Sequence, residues 1–408
     1  MKHRKLGAVI VAAGLAAALT ACGSGFSSGT ATQSSTKPIT VLIGSSGAAE
    51  TAAVKSAVAA WSKTSGVTAT VTVASDLNQQ LAQGFSSGKP ADVFYLSTDS
   101  LAGYASNGSL YAYGDKLTNK SDFYPSLVKS FTYNNKLVCA PKDFSTLQLI
   151  INTDLWAKAG LTDADIPTTW DQLSAVAKKL TTGTQTGLVI GGEYARVGAF
   201  MTEAGGNLMN ADSTKATADT QANVDALNYV KQNLAAGDFK YAADVGAGWG
   251  GEAFGKQLGA MTIEGNWITG SQSADYPAVN YKVVPLPKGP AGAGTLQFTN
   301  CWGIAADSAN KSGALSLVQQ LTTKSDQLGF AKAFGVMPSI QSAASEWKKE
   351  FPKLTPFLDA ASYAQGVPAA KGAAAVVSDF NSQVAKLATG DPKTIFSSTQ
   401  TNLAALLK

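Results

Sequence analysis

The residues able to do chemistry in this chain are few. Its one histidine, His3, stands in the basic start Met1-Lys-His-Arg-Lys5. The residues that follow therefore cannot assemble a Ser-His-Asp or Cys-His nucleophile or a His-liganded zinc site. Gly25-Phe-Ser-Ser-Gly29 and Gly84-Phe-Ser-Ser-Gly88 fit the G-x-S-x-G of hydrolases, but that serine needs a histidine partner. Gly246-Ala-Gly-Trp-Gly-Gly251 fits G-x-G-x-x-G. Gly250 to Lys256 fits a phosphate loop until Gln257, which stands where a Mg²⁺-binding hydroxyl is required. Both matches read as a glycine-rich turn opening a helix. Trp249 and Trp302, aromatics beside glycine turns, remain as candidate stacking surfaces. No catalytic residue, metal or cofactor is expected.

The composition is globular: 408 residues, 45% hydrophobic and 15% charged, with 40 glycines, enough chain for two or three domains. After the basic start, Leu6 to Leu19 is an uncharged stretch shorter than the ~20 residues that span a bilayer, and it reads as an export signal. Leu19-Thr-Ala-Cys22 resembles the lipobox of bacterial lipoproteins. This implies a signal peptide over 1–21, a lipid on Cys22, and anchoring at the outer face of the cell membrane. Losing Lys2, Arg4 and Lys5 with the signal lowers the formal charge from +4 to +1. Nucleic acid, which is held by clustered Lys and Arg, is therefore not an expected partner. Residues 22–37, rich in Gly, Ser and Thr, form the expected flexible tether. Cys139 and Cys301 remain as an even pair in an oxidising compartment and are expected to form a disulfide, the alternative being two buried thiols.

The elements that must position a site alternate between strand and helix. Ile39 to Ile43 reads as a strand. Val54, Val58 and Trp61 follow at helical spacing, with Gly66 placed to end the helix. Val67 to Val73 alternates as a strand, Leu77, Leu81 and Phe85 return to the helical period, and Asp92 to Leu96 is a third strand. In such a βαβαβ opening, ligands bind at the carboxyl ends of the strands, here the turns near Ser45, Ser75 and Ser97. Further strands are expected at Leu147–Ile151, Leu188–Ile190, Ala260–Ile263 and Tyr281–Val284, and a helix after Pro167-Thr-Thr carrying Trp170, Leu173, Val176 and Leu180. The last hundred residues read as mostly helical.

Asp92 to Gly108, the run DVFYLSTDSLAGYASNG, closely resembles a sheet edge and following helix of the maltose-binding group of ABC-importer solute-binding proteins. Four later segments agree in order. Tyr133 to Leu155 resembles the group's first crossing between lobes. Pro167 to Leu173 resembles its P-x-T-W-x-x-L helix, Gly259 to Trp267 its G-x-x-A-M-x-x-x-G-x-W segment, and Phe298 to Ala306 its second crossing. The resemblance implies an α/β, two-lobed periplasmic-binding-protein-like fold of type II, with discontinuous lobes joined by a hinge. One lobe would take 38–143 and 302–325, the other 147–296 and 326–408, with crossings at 144–146 and 297–301. The implied role is non-catalytic: capture of a carbohydrate, most simply an oligosaccharide, and its delivery by a monomer to ABC transporter permease subunits.

A sugar offers C–H faces to aromatic rings and hydroxyls to carboxylates and amides, and the positions carried over by the resemblance are of these types. Trp267 matches the stacking aromatic and Asp99 a sugar-binding carboxylate. Glu193, Tyr194 and Arg196 fall where the second lobe projects a Glu and an aromatic. Asp143, Phe144, Ser145 and Thr146 lie along the first crossing, with Ser145 where the family has an acidic residue, and Asn300 lies on the second. Ser45 and Ser46 occupy the first turn, more neutral here than in the family. The paired aromatics of the family's C-terminal lobe have no counterpart near Val376 to Asp379. Two competing classes remain: an exported glycosidase using Glu193 with Asp99, which a retaining enzyme would hold ~5–5.5 Å apart, and a binder of a non-sugar solute on the same fold.

Overall fold

The computed structural model describes residues 36–408. The export signal, Cys22 and nearly all of the tether lie outside the described residues. The local rules read from the sequence operate as expected. Strand Ile39–Ile43 leads into helix Ala48–Ser65, which buries Val54, Val58 and Trp61 and ends at Gly66 with φ 71°. Only glycine enters that left-handed region without steric cost. Helix Trp170–Leu180 begins at Thr169, whose side chain accepts the Gln172 N–H. The glycine-rich stretch is a turn opening the short helix Gly250–Gly255.

One sheet runs through the molecule. Strand Ile39–Ile43 pairs in parallel with Ala69–Val73 and Val93–Ser97. Strand Val93–Ser97 then pairs antiparallel with Thr295–Ile304, which pairs antiparallel with the thirteen-residue strand Ala140–Asn152. Beyond it come Gly259–Gly265, antiparallel, and then Thr186–Ile190 and Phe239–Tyr241 in parallel. The two long strands pass through both halves, and the expected crossings face each other: Thr146 opposite Gln297, Ser145 opposite Phe298, Asp143 opposite Asn300.

Each half has its own core. Val41, Val58, Phe94, Trp302 and Val318 belong to one, and Leu149, Leu173, Val197, Phe239 and Phe380 to the other. Both cores lie in one compact unit, Ser34–Lys408. The chain leaves the first core later than the sequence boundary at 325 implies. Phe330, Ile340 and Ala343 pack into it, because Ser339 is tied to Pro141 O and to the Gln327 side chain. A third pass, Met337–Pro338, then pairs with Phe144 and Asp143. Among the described residues no helix is long and apolar enough to cross a membrane.

Cys139 and Cys301 are paired, with Cα atoms 5.6 Å apart and 162 residues of separation, and join the strand just before the first crossing to the end of the second. Cross-linking so long a loop removes unfolded-state entropy worth up to about 5 kcal/mol in the chain model. Replacing both cysteines with Ala is expected to lower unfolding stability by about 2–5 kcal/mol in urea without altering the far-UV spectrum. An unchanged midpoint would contradict the bond's contribution.

Candidate functional site

The ends of the first parallel strands, the two crossings and the turn after Gly265 border two adjoining cavities. The smaller, about 260 Å³, is edged by Ser46, Glu50, Lys142, Asp143, Ser145, Asn266 and Trp267. The larger, about 390 Å³, is edged by Ser97, Thr98, Asp99, Tyr194, Val367, Pro368, Val377, Ser378 and Asn381. Phe298, Thr299 and Asn300 line both, so the second crossing is the ridge on which they meet. A larger groove of about 710 Å³, between Asp154, Tyr281 and Phe351, contains none of the expected site residues.

Trp267 is the one exposed tryptophan of the seven, at 39%, and it is fixed in place. Its indole N–H donates to Glu264 Oε2 at 3.0 Å. The Arg196 guanidinium lies 5.5 Å from the ring centroid, and Phe298 meets it edge-on at 5.5 Å. The ring covers Gly265, where a Cβ would come within 2.2 Å of it. The turn itself is pinned: Asn266 N donates to Ser145 Oγ and Asn266 Nδ2 to Gly335 O. Ser145 thus anchors the tryptophan's turn.

The opposite wall carries a buried ion cluster. Lys142 Nζ lies 3.0 Å from Glu50 Oε1, is paired with Asp143, and faces the Tyr95 ring at 4.5 Å. Glu50 Oε2 accepts from the backbone and hydroxyl of Ser46, so the first turn is tied to the crossing strand. Burial pushes the Glu50 carboxyl up, but Lys142 and Ser46 outweigh it and hold the group below its ordinary range. Asp143 is pushed up by burial despite Lys142. The ammonium, disfavoured by burial, is held well above its usual range by its anionic neighbours. Among the described residues no His/Cys/Asp/Glu group of three or more could hold a metal ion.

The family model for bacterial extracellular solute-binding proteins matches residues 56–356. The chain belongs to this family. A diacetylchitobiose binding protein, DasA of Streptomyces coelicolor, is 26% identical over 283 residues, covering 67% of this chain and 66% of that protein. The chain therefore spans about two-thirds of that relative's length. The cyclic α-maltosyl-1,6-maltose binding protein of Arthrobacter globiformis superposes with a TM-score of 0.80 at 21% identity, covering 91% and 99% of the two chains. The GacH receptor of Streptomyces glaucescens, solved unliganded and with acarbose, gives 0.78 at 22% identity over 91% and 98%. The fold is thus the two-lobed one of solute-binding proteins.

Within this solute-binding fold the expected residues separate. Ser46, Asp99, Asp143, Phe144, Ser145, Tyr194, Trp267 and Asn300 border the cavities. Asp99 is exposed in the first turn of helix Thr98–Ser106, its carboxylate accepting from Ser97 Oγ. Glu193 and Arg196 stand behind Trp267 and border neither cavity; Glu193 faces Arg196 at 3.6 Å. Of the two carboxylates considered for a glycosidase, Asp99 borders a cavity and Glu193 borders neither. Three further residues line neither cavity, against the expectation from sequence. Trp302 is 0% exposed in the first core, packed edge-on against Tyr95. Thr146 is buried with its hydroxyl on Phe357 O. Trp249 packs beside a third apolar cluster containing Phe254 and Ile268. Ser45 is spent on its own turn, accepting from Thr51 and donating to Gly47 O. Sequence reasoning missed Glu264, Lys142 and Asn381. Glu264 lies within the quoted Gly259–Trp267 segment, and Lys142 beside the proline that opens the crossing, but periodicity alone gave neither a role.

Substituting Lys142 with Met leaves Glu50 and Asp143 buried without their cation, and breaking a buried pair in this way costs about 3–5 kcal/mol. The sign with pH follows. Asp143, already raised by burial, then has no cation to oppose it, and Glu50 loses the attraction that helps to hold it down, so relative to wild type the variant loses stability as pH rises above about 4 and recovers it below. Urea midpoints of K142M and wild type should therefore converge at acid pH and separate towards neutrality. Parallel curves would contradict the cluster's role.

Proposed function

We propose that this chain captures an oligosaccharide in the cleft where the two cavities meet and, without altering it, hands it to ABC transporter permease subunits. In this reading one lobe is built around the core of Val41 and Phe94, the other around that of Leu149 and Phe239, and they close about the paired crossings near Asp143 and Asn300. A lipid on Cys22 would moor the chain to the outer face of the membrane. The observation that carries the reading is Trp267: an immobilised, exposed indole at a cavity edged by hydroxyls, amides and carboxylates, in a chain of a solute-binding family. An indole face suits the C–H face of a pyranose, and the surrounding polar groups suit its hydroxyls.

The larger cavity refines the ligand. Asn381 Oδ1 accepts the Tyr194 backbone N–H at 2.7 Å, which fixes the amide and leaves its NH₂ as a donor beside the aliphatic Val367, Pro368 and Val377. A carbonyl next to a methyl group, as in an N-acetylated sugar, complements that wall. The diacetylchitobiose in the name of the DasA relative has this chemistry.

Closure must be driven by contacts made only in the closed state, since a ligand with equal affinity for both states shifts nothing. Calorimetry over a panel of oligosaccharides, including N-acetylated ones, tests the reading. At least one should bind, be recovered unhydrolysed, and bind at least tenfold more weakly to Trp267→Ala. Cleavage of the bound glycan would favour the glycosidase, and an unchanged affinity in the variant would remove the stacking role.

A further inference from the structure

Resting on that reading, we propose that Glu264 is the positioning residue for ligand stacking: one carboxylate oxygen fixes the Trp267 ring and the Arg196 guanidinium against each other before any ligand arrives. Glu264 lies in strand Gly259–Gly265 and is 0% exposed, so it does not touch the ligand itself. Its Oε2 accepts from Arg196 Nη2 at 2.6 Å and from Trp267 Nε1 at 3.0 Å. A buried carboxylate is costly unless it is paired. Here one oxygen takes both donors, whereas Oε1 has no partner, so the bonds to Arg196 and Trp267 are what offset the burial of this group.

The geometry makes the two donors dependent on each other. Arg196 rises from the first turn of helix Tyr194–Glu203, and Trp267 follows the strand that holds Glu264. Without the shared acceptor, the guanidinium keeps a long 3.3 Å bond from Nη1 to its neighbour Ala195 O and the 3.6 Å approach to Glu193, itself partly exposed, and neither of these involves the indole. The ring already has Gly265 beneath part of it and Phe298 at its edge. The N–H bond to Glu264 selects, among the rotations those neighbours permit, the one that presents the indole to the cavity. A ring fixed in advance spares the ligand the entropy of ordering it, so the acid acts on affinity through tryptophan.

The test is a double-substitution cycle on the full chain, read by calorimetry with an oligosaccharide that binds the wild type. Glu264→Gln keeps the size and one acceptor but removes the charge that holds Arg196. It should weaken binding about tenfold when residue 267 is Trp, and by less than twofold in a Trp267→Phe background, where there is no N–H to hold. An equal loss in both backgrounds would mean that Glu264 acts only on the fold, and would overturn the proposal. A second readout needs no ligand. With 5-fluorotryptophan incorporated, the ¹⁹F resonance missing in W267F is that of Trp267. Glu264→Gln, and separately Arg196→Gln, should move that line and leave the other six in place. An unmoved line overturns the proposal, as does a general shift of all seven. If no oligosaccharide binds the wild type, the functional reading fails, and the fluorine spectrum still decides the role of Glu264.

Discussion

The site depends on a single constraint: two antiparallel strands, Ala140–Asn152 and Thr295–Ile304, must carry one hydrogen-bonded ladder through two separate hydrophobic cores. Where a strand lies within a core its side chains are apolar, as at Leu147, Leu149 and Ile151 or at Cys301, Trp302 and Ile304. Between the cores the same strands turn polar, with Lys142, Asp143, Ser145, Thr299 and Asn300. The ladder supplies the backbone's hydrogen bonds throughout, which frees these side chains for other partners. Their polarity is tolerable only because each is paired or borders a cavity. The disulfide closes the first-core end of this stretch, and the register shift between Asn300 and Cys301 sits where the polar segment meets the core.

Two ion clusters, one lining the smaller cavity and one behind its Trp267, solve the same electrostatic problem in similar ways. One places a single ammonium among two carboxylates and a tyrosine ring; the other places a single guanidinium between two carboxylates and an indole. In each, burial alone would drive the carboxyls towards neutrality, and the central cation opposes this. The outcomes differ. Glu50 is held down, because Ser46 adds two hydrogen bonds to the attraction of Lys142. Glu264 is left raised by its more complete burial, against Arg196 and Trp267. The first therefore behaves as a fixed ion cluster tying a turn to a strand, and the second as a mount for an aromatic ring.

Much of the fold was legible because its signals are local. The alternation of strand and helix, the capping glycine at 66, and the Thr169 cap each follow from a few neighbouring residues. Trp267, exposed at the cavity edge, lies at the end of a segment that stood out in the sequence. What was not legible depends on distance through space. Trp302 has the same residue type as Trp267, yet its strand runs inside the first core while Trp267 sits on a turn that leaves the sheet. Thr146 lies one residue from Ser145, and strand alternation sends the one hydroxyl to Phe357 O while the other accepts from Asn266. The wall of Val367, Pro368 and Val377 comes from a part of the chain more than a hundred and fifty residues beyond Tyr194, which it faces. No periodicity connects the two.

Magnitudes decide what kind of ligand could close such a cleft. A tryptophan offers about 150–250 Å² of surface; covering the 39% of Trp267 that is exposed would stabilise the closed state by at most ~2.5 kcal/mol at about 25 cal/mol per Å². Reversing a two-state equilibrium from 1:99 to 99:1 requires ~5.5 kcal/mol of differential binding. Stacking on this ring supplies less than half of that. The rest must come from hydrogen bonds on both sides of the ridge at Phe298–Asn300, each worth ~0.5–1.5 kcal/mol and more where a charged group takes part. A single pyranose on Trp267 would fill the smaller cavity and leave Asp99, Ser378 and Asn381 untouched. A ligand that extends across the ridge into the larger cavity would gain such bonds from Asp99, Ser378 and Asn381 as well, and this is the physical ground for proposing an oligosaccharide rather than a monosaccharide.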